Sequence, residues 1–137
     1  MSVVTDASLT LSWYFEDERT PAIDAVLDRV AEDGAVTPAL WRLEVAHGLR
    51  MAMRRKRIDA AFRDRALAHL GELPIAVDPE TDSHAWTTTL RLADRFDLTL
   101  YDAAYLELAL RRSAPLATLD KALRSAAASL EVPLLGM

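Results

Sequence analysis

The residues of this 137-residue chain best suited to do chemistry are acids. Asp6 follows "VVT", Glu44 lies within "PALWRLEVAHGL", Asp102 stands near the start of "LTLYDAAYLELAL" (Leu98 to Leu110), and Asp120 comes just after "LAT". Each aspartate also has an ordinary structural use. Asp6 can cap a helix starting at Ala7, Thr99 with Asp102 fits the S/T-x-x-D/E capping pattern, and Asp120 complements the positive start of a last helix. Glu44 is harder to explain in this way. Its neighbours at helical spacings of three and four are Leu40, Trp41, His47 and Gly48, with no lysine or arginine to pair with it. A carboxylate on such a face either carries a costly buried charge or stays neutral, unless a cation shares its pocket.

If the four acids meet, each pair about 4 Å apart repels by roughly 4 kcal/mol at an effective dielectric of about 20. A divalent ion removes that cost. The chain has no cysteine, and its three histidines, His47, His69 and His84, show no zinc spacing. The all-oxygen donor set therefore favours Mg²⁺ or Mn²⁺. Glu44-x-x-His47 has no second copy and makes no case for a di-iron site.

To bring such distant residues together, the chain needs a fold that converges at one edge. Ser2 to Val4, Ala35 to Thr37, Pro74 to Val77 and Pro115 to Thr118 are short, unalternating apolar runs that read as buried parallel strands, with "VPLL" as a fifth. Between them, helical spacing or punctuation predicts helices over Ala7 to Glu16, Pro21 to Glu32, Ala39 to Arg55, Ile58 to Leu70, Glu80 to Phe96, Leu100 to Arg112 and Leu119 to Leu130. Strands alternating with helices imply a three-layer α/β/α sandwich around a mainly parallel sheet of four to five strands. With no internal repeat or linker, residues 1–137 read as one domain. In such a sheet, ligands collect beyond the carboxyl ends of the strands, which is where the aspartates fall.

"VTDAS", "PALWRLEVAHGL", "LYDAAYLELA" and "LATLDKAL" resemble, in order and spacing, the four acidic motifs of PIN-domain nucleases, and especially the VapC toxins of bacterial toxin–antitoxin pairs. The resemblance covers nearly the whole chain. It implies that Asp6, Glu44, Asp102 and Asp120 bind the metal, with Thr118 on the strand before Asp120 and Ser8 after Asp6 as supporting hydroxyls. It further implies metal-dependent cleavage of single-stranded or looped RNA to a 3′-hydroxyl and a 5′-phosphate, a second copy of the chain in a homodimer, and a VapB-type antitoxin as partner. Residues 58–96 carry no diagnostic position.

Other features have two readings each. "RMAMRRKR", Arg50 to Arg57, is either a solvated helix end or a phosphate-contacting edge in which Arg54, Arg55 and Arg57 bind substrate. Arg111 and Arg112 read as surface charge. Trp13, Trp41 and Trp86 fit core positions better than base-stacking ones, and Tyr105 shares a helix face with Asp102 and bridges core and cleft. The first helix, with Leu9, Leu11, Trp13, Tyr14 and Phe15, carries more apolar residues than one buried stripe needs, which suggests a partner surface.

The composition, 51% hydrophobic and 27% charged, is that of a soluble globular protein. The absence of cysteine, of an apolar run suited to a signal peptide and of any membrane-length window points to the cytoplasm. A net charge of -5 disfavours broad electrostatic binding of nucleic acid but allows a local basic surface. Two alternatives remain open: a receiver-like phosphoacceptor domain using Asp6, Asp78, Thr118 and Lys121, and a PIN-like binding module with an idle site.

Overall fold

The computed structural model describes residues 2–137. Five short strands, β1 (Val3–Thr5), β2 (Ala35–Thr37), β3 (Ile75–Val77), β4 (Leu116–Ala117) and β5 (Leu134–Leu135), form one all-parallel sheet in the order β3-β2-β1-β4-β5. The central strands are fully buried apolar segments: Val3, Val4, Leu116 and Ala117 have no exposed surface. The edge strands β3 and β5 are only partly covered. Among the described residues, eight α-helices flank the sheet: α1 (Ala7–Ser12), α2 (Pro21–Asp33), α3 (Trp41–Arg54), α4 (Ala60–Glu72), α5 (Thr81–His84), α6 (Thr88–Phe96), α7 (Leu100–Arg112) and α8 (Lys121–Ser129).

The strand order fixes where a site belongs. From β1 the chain adds β2 and then β3 on one side, then returns to add β4 and β5 on the other. The topology reverses between β1 and β4, and the crevice beyond their carboxyl ends is the natural ligand position of such a sheet. This order differs from the 2-1-3-4-5 order of receiver domains. Asp6 and Thr118 are the residues that leave those two strands, and the Asp6 N–H donates to the Ala117 carbonyl.

Three expectations from the sequence give way. The first helix ends at Ser12, followed by a 3-10 turn over Glu16–Glu18, and its apolar surplus goes into the core. Leu9, Trp13 and Phe15 are buried, while Leu11 lies over Gly48 of α3, where a Cβ would come within 2.3 Å of its Cδ1. Leu11 and Tyr14 stay partly exposed beside this packing. The expected helix from Glu80 to Phe96 is broken into α5 and α6 around Ala85–Thr87, because the Thr87 backbone departs from helical angles (φ -119°, ψ -100°). Trp86 sits in that break and is 88% exposed, so it is not a core residue. The helix expected from Ile58 to Leu70 runs instead from Ala60 to Glu72, started by the Asp59 cap, and carries Gly71 inside its last turn.

Arg111 is likewise more than surface charge. It donates to Asp78 and Glu107, which are 1% and 4% exposed, and Arg112 donates to Asp78 as well. The two guanidinium groups hold the Asp78 carboxyl below its usual range, and this cluster pins the end of α7 to the residue after β3. Asp78 is therefore a buried structural anion, which removes the acid that a receiver-like site requires. Among the described residues, no helix is long and apolar enough to cross a membrane.

Candidate metal-binding site at the helix starts

The four acids share one kind of position. Asp6 is the N-cap of α1, Glu44 lies in the first turn of α3, Asp102 lies in the first turn of α7, and Asp120 is the N-cap of α8. Glu44 falls nearer its helix start than the sequence suggests, since Pro38, Ala39 and Leu40 form a turn and α3 begins at Trp41. The start of α7 is capped by the Thr99 hydroxyl, which accepts from the Asp102 N–H as the S/T-x-x-D/E pattern predicts. Asp120 spends Oδ2 on the Leu123 N–H.

Asp6 is the most constrained of the four. It is 4% exposed, and three groups donate to it: Ser8 Oγ at 2.8 Å and the Leu9 N–H at 2.9 Å to Oδ1, and Thr118 Oγ1 at 2.5 Å to Oδ2. Thr118 lies one residue beyond β4 rather than on it, and its hydroxyl oxygen also accepts from the Asp120 N–H. Burial outweighs these hydrogen bonds, and with the charge of Asp102 it pushes the Asp6 carboxyl up to about 6.

The others respond to the same crowding. Burial raises Glu44, the Tyr105 hydroxyl bond opposes that rise, and Asp102 adds to it. Burial also raises Asp102, helped by the charge of Asp120 and offset by Thr99. Asp102 is thus the electrostatic centre, felt by Asp6 and Glu44 and itself feeling Asp120. Among the described residues, no three histidine or carboxylate groups stand close enough to grip one ion at once. The arrangement is a set of acids grouped around Asp102 rather than a closed cage. Its donors are all oxygen and its excess charge is negative, which suits a hard divalent cation.

Sequence reasoning placed Tyr105 between core and cleft but missed what it binds. The buried phenol donates to Glu44 Oε1 at 2.5 Å. The signal was the spacing of Asp102 and Tyr105, one turn apart on α7.

The basic run is divided by the fold. Arg57 turns back to Asp17 and Glu18 at 3.1 Å each and lies over the Phe15 ring, 4.4 Å from its centroid. Arg54 and Arg55, both exposed, end α3. Arg55 lines an open groove of about 470 Å³ that also touches Ser8 and Asp120, with Leu11, Gly48, Met51 and Leu119 between. Acids and cations therefore border one trough. A separate hollow between α3, α4 and β3, walled by Trp41, Val45 and Leu70, holds none of the four acids.

The chain matches the PIN domain family over residues 3–129. Comparison with curated proteins gives no match. Two solved structures share the fold. The crystal structure of PAE2754 from Pyrobaculum aerophilum is 23% identical with a TM-score of 0.67, over 92% of this chain and 84% of that one. The crystal structure of FitAcB from Neisseria gonorrhoeae is 15% identical with a TM-score of 0.65, over 98% of this chain and 96% of that one. PIN domains are generally metal-dependent nucleases, and with the family match spanning nearly all of the sequence and the parallel sheet in agreement, the chain belongs to the PIN domain family.

Proposed function

We propose that this protein is a Mg²⁺- or Mn²⁺-dependent endoribonuclease, the toxin of a VapBC-type pair, acting in the cytoplasm as a homodimer of one-domain chains. The observation that carries the reading is the placement of four acids at four helix starts, with Asp102 electrostatically coupled to the other three. Asp6, Glu44, Asp102 and Asp120 would hold the ion. When bound, it would supply an activated water and neutralise charge on the scissile phosphate.

The chain's own residues do the positioning. Ser8, Thr118 and the Leu9 N–H fix both oxygens of Asp6, so its orientation is set before any ligand arrives. Asp120 is steadied by the α8 backbone. Arg55, on the same groove as Ser8 and Asp120, together with Arg54, is suited to contact the phosphates of an RNA strand entering from the α3 end. Arg57 is committed to Asp17 and Glu18, and its contribution is to hold the groove wall.

Asp102→Asn tests the proposal. It keeps the side chain's size and leaves the Thr99 cap intact, because the cap uses the backbone of residue 102. The fold should survive, judged by circular dichroism and thermal unfolding, while metal-dependent cleavage of RNA falls below detection. Retained metal-dependent cleavage in that variant would falsify the assignment.

A further inference from the structure

α3 and α7 belong to different crossovers, yet they meet in a single polar bond at the site. The Tyr105 phenol is 1% exposed, and its hydroxyl donates to Glu44 Oε1 at 2.5 Å. Tyr105 lies one turn after Asp102, so α7 presents one acid directly and grips another through the phenol. Among the described residues, no other hydrogen bond holds the Glu44 carboxyl, whereas Asp6 accepts three. Glu44 is a long, half-buried side chain, and without this bond nothing on its own helix fixes where its oxygens sit. The phenol is a dependable donor, since burial and the neighbouring carboxylates push its ionisation far above the ordinary tyrosine range.

We infer that Tyr105 is a positioning residue: its buried hydroxyl holds Glu44 by Oε1 so that Oε2 is presented to the cation beside Asp102. The inference rests on the metal-dependent reading above. Outer hydrogen bonds of this kind orient ligating carboxylates, and their loss typically costs about ten- to a hundredfold in metal affinity. Tyr105 acts through Glu44 and needs no contact with substrate.

The test is direct Mn²⁺ binding, followed by the electron paramagnetic resonance of the free ion, with wild type, Tyr105→Phe, Asp102→Asn and Leu108→Ala compared. Leu108 is fully buried on the same helix, and its truncation loosens the packing without touching the hydroxyl. Tyr105→Phe should weaken Mn²⁺ binding about tenfold or more, with little change in the unfolding temperature measured in chelator. Leu108→Ala should lower that temperature and leave Mn²⁺ affinity near wild type. Tyr105→Phe binding within about twofold of wild type overturns the inference while the metal site stands. Equal weakening by Leu108→Ala also overturns it, because general loosening would then explain the loss. No binding by wild type, or undiminished binding by Asp102→Asn, strikes instead at the metal-dependent reading itself.

Discussion

Asp6→Asn should stabilise the metal-free protein at neutral pH while destroying its affinity for the ion. The Asp6 carboxyl is raised from 3.8 to about 6, mainly by burial, so the folded chain binds a proton there more tightly than the unfolded chain does. The folded state thus holds more protons than the unfolded state between those values, and stability falls as pH rises through that window. About two units at 1.36 kcal/mol each gives roughly 3 kcal/mol of strain present above pH 6 and absent below pH 4. Asparagine keeps an oxygen for the Leu9 N–H and caps helices well, and the Thr118 hydroxyl can rotate to accept from the new amide. The assay is thermal unfolding in chelator from pH 4 to pH 8, for both proteins. Glu44 and Asp102 tilt both curves in the same direction and Asp78 tilts both in the opposite one, so the difference between the curves isolates Asp6. The variant's advantage should grow between pH 4 and 6 and then level off, at some 3 °C or more per kcal/mol for a domain of this size. Mn²⁺ at about a thousand times its Kd should reverse the order, since a ligand at that excess stabilises the protein that binds it by about 4.1 kcal/mol. A difference curve flat across the window would show that Asp6 carries no electrostatic strain, and the case for a crowded acidic site would lose its main support.

Two further outcomes follow from the charges outside the site. Arg111→Met leaves Glu107 buried without a partner and Asp78 paired with Arg112 alone, which should cost about 3 kcal/mol in urea unfolding at neutral pH; a cost under about 1 kcal/mol would mean that Arg112 and water take over the cluster. Replacing Arg54 and Arg55 by glutamine in the inactive Asp102→Asn background should reduce the salt slope of single-stranded RNA binding by about 1.4, read by fluorescence anisotropy, and an unchanged slope would take this helix end out of the substrate path.

The strands were legible because each is a short apolar run between turn residues, and a central parallel strand needs nothing else. Where the fold departs from the sequence pattern, a local signal was outweighed by backbone geometry or by a distant contact. Trp86 keeps helical spacing with Leu90 and Ala93, but the angles at Thr87 break the helix and turn the indole outward. Leu11 resembled part of an unpartnered face because nothing in the sequence says that Gly48, far along the chain, lets α3 approach it so closely. Arg57 sits in a run of like charge and is indistinguishable there from Arg54, yet only Arg57 meets Asp17 and Glu18. The acids themselves were visible as types and spacings. The Thr118 hydroxyl on Asp6 and the Tyr105 phenol on Glu44 come from partners 112 and 61 residues away, and such pairings have no local pattern to read: Thr118 was named only through the family resemblance, and the partner of the phenol was not named at all.

The position of the acids explains how so much negative charge can be gathered without unfolding the chain. A helix start carries roughly half a positive charge and unpaired N–H groups, and it favours an anion by about 0.3–1 kcal/mol within its first turn. Here each acid occupies such a start, on α1, α3, α7 and α8, so every carboxylate brings its own partial compensation in the backbone. That compensation is smaller than the repulsion of neighbouring carboxylates together with the cost of burying Asp6, which is why Asp6 remains raised to about 6 despite three donors. The fold therefore stops short of neutrality. It supplies enough backbone charge to keep the acids together and leaves a residual negative field, and that remainder is what a divalent cation would satisfy.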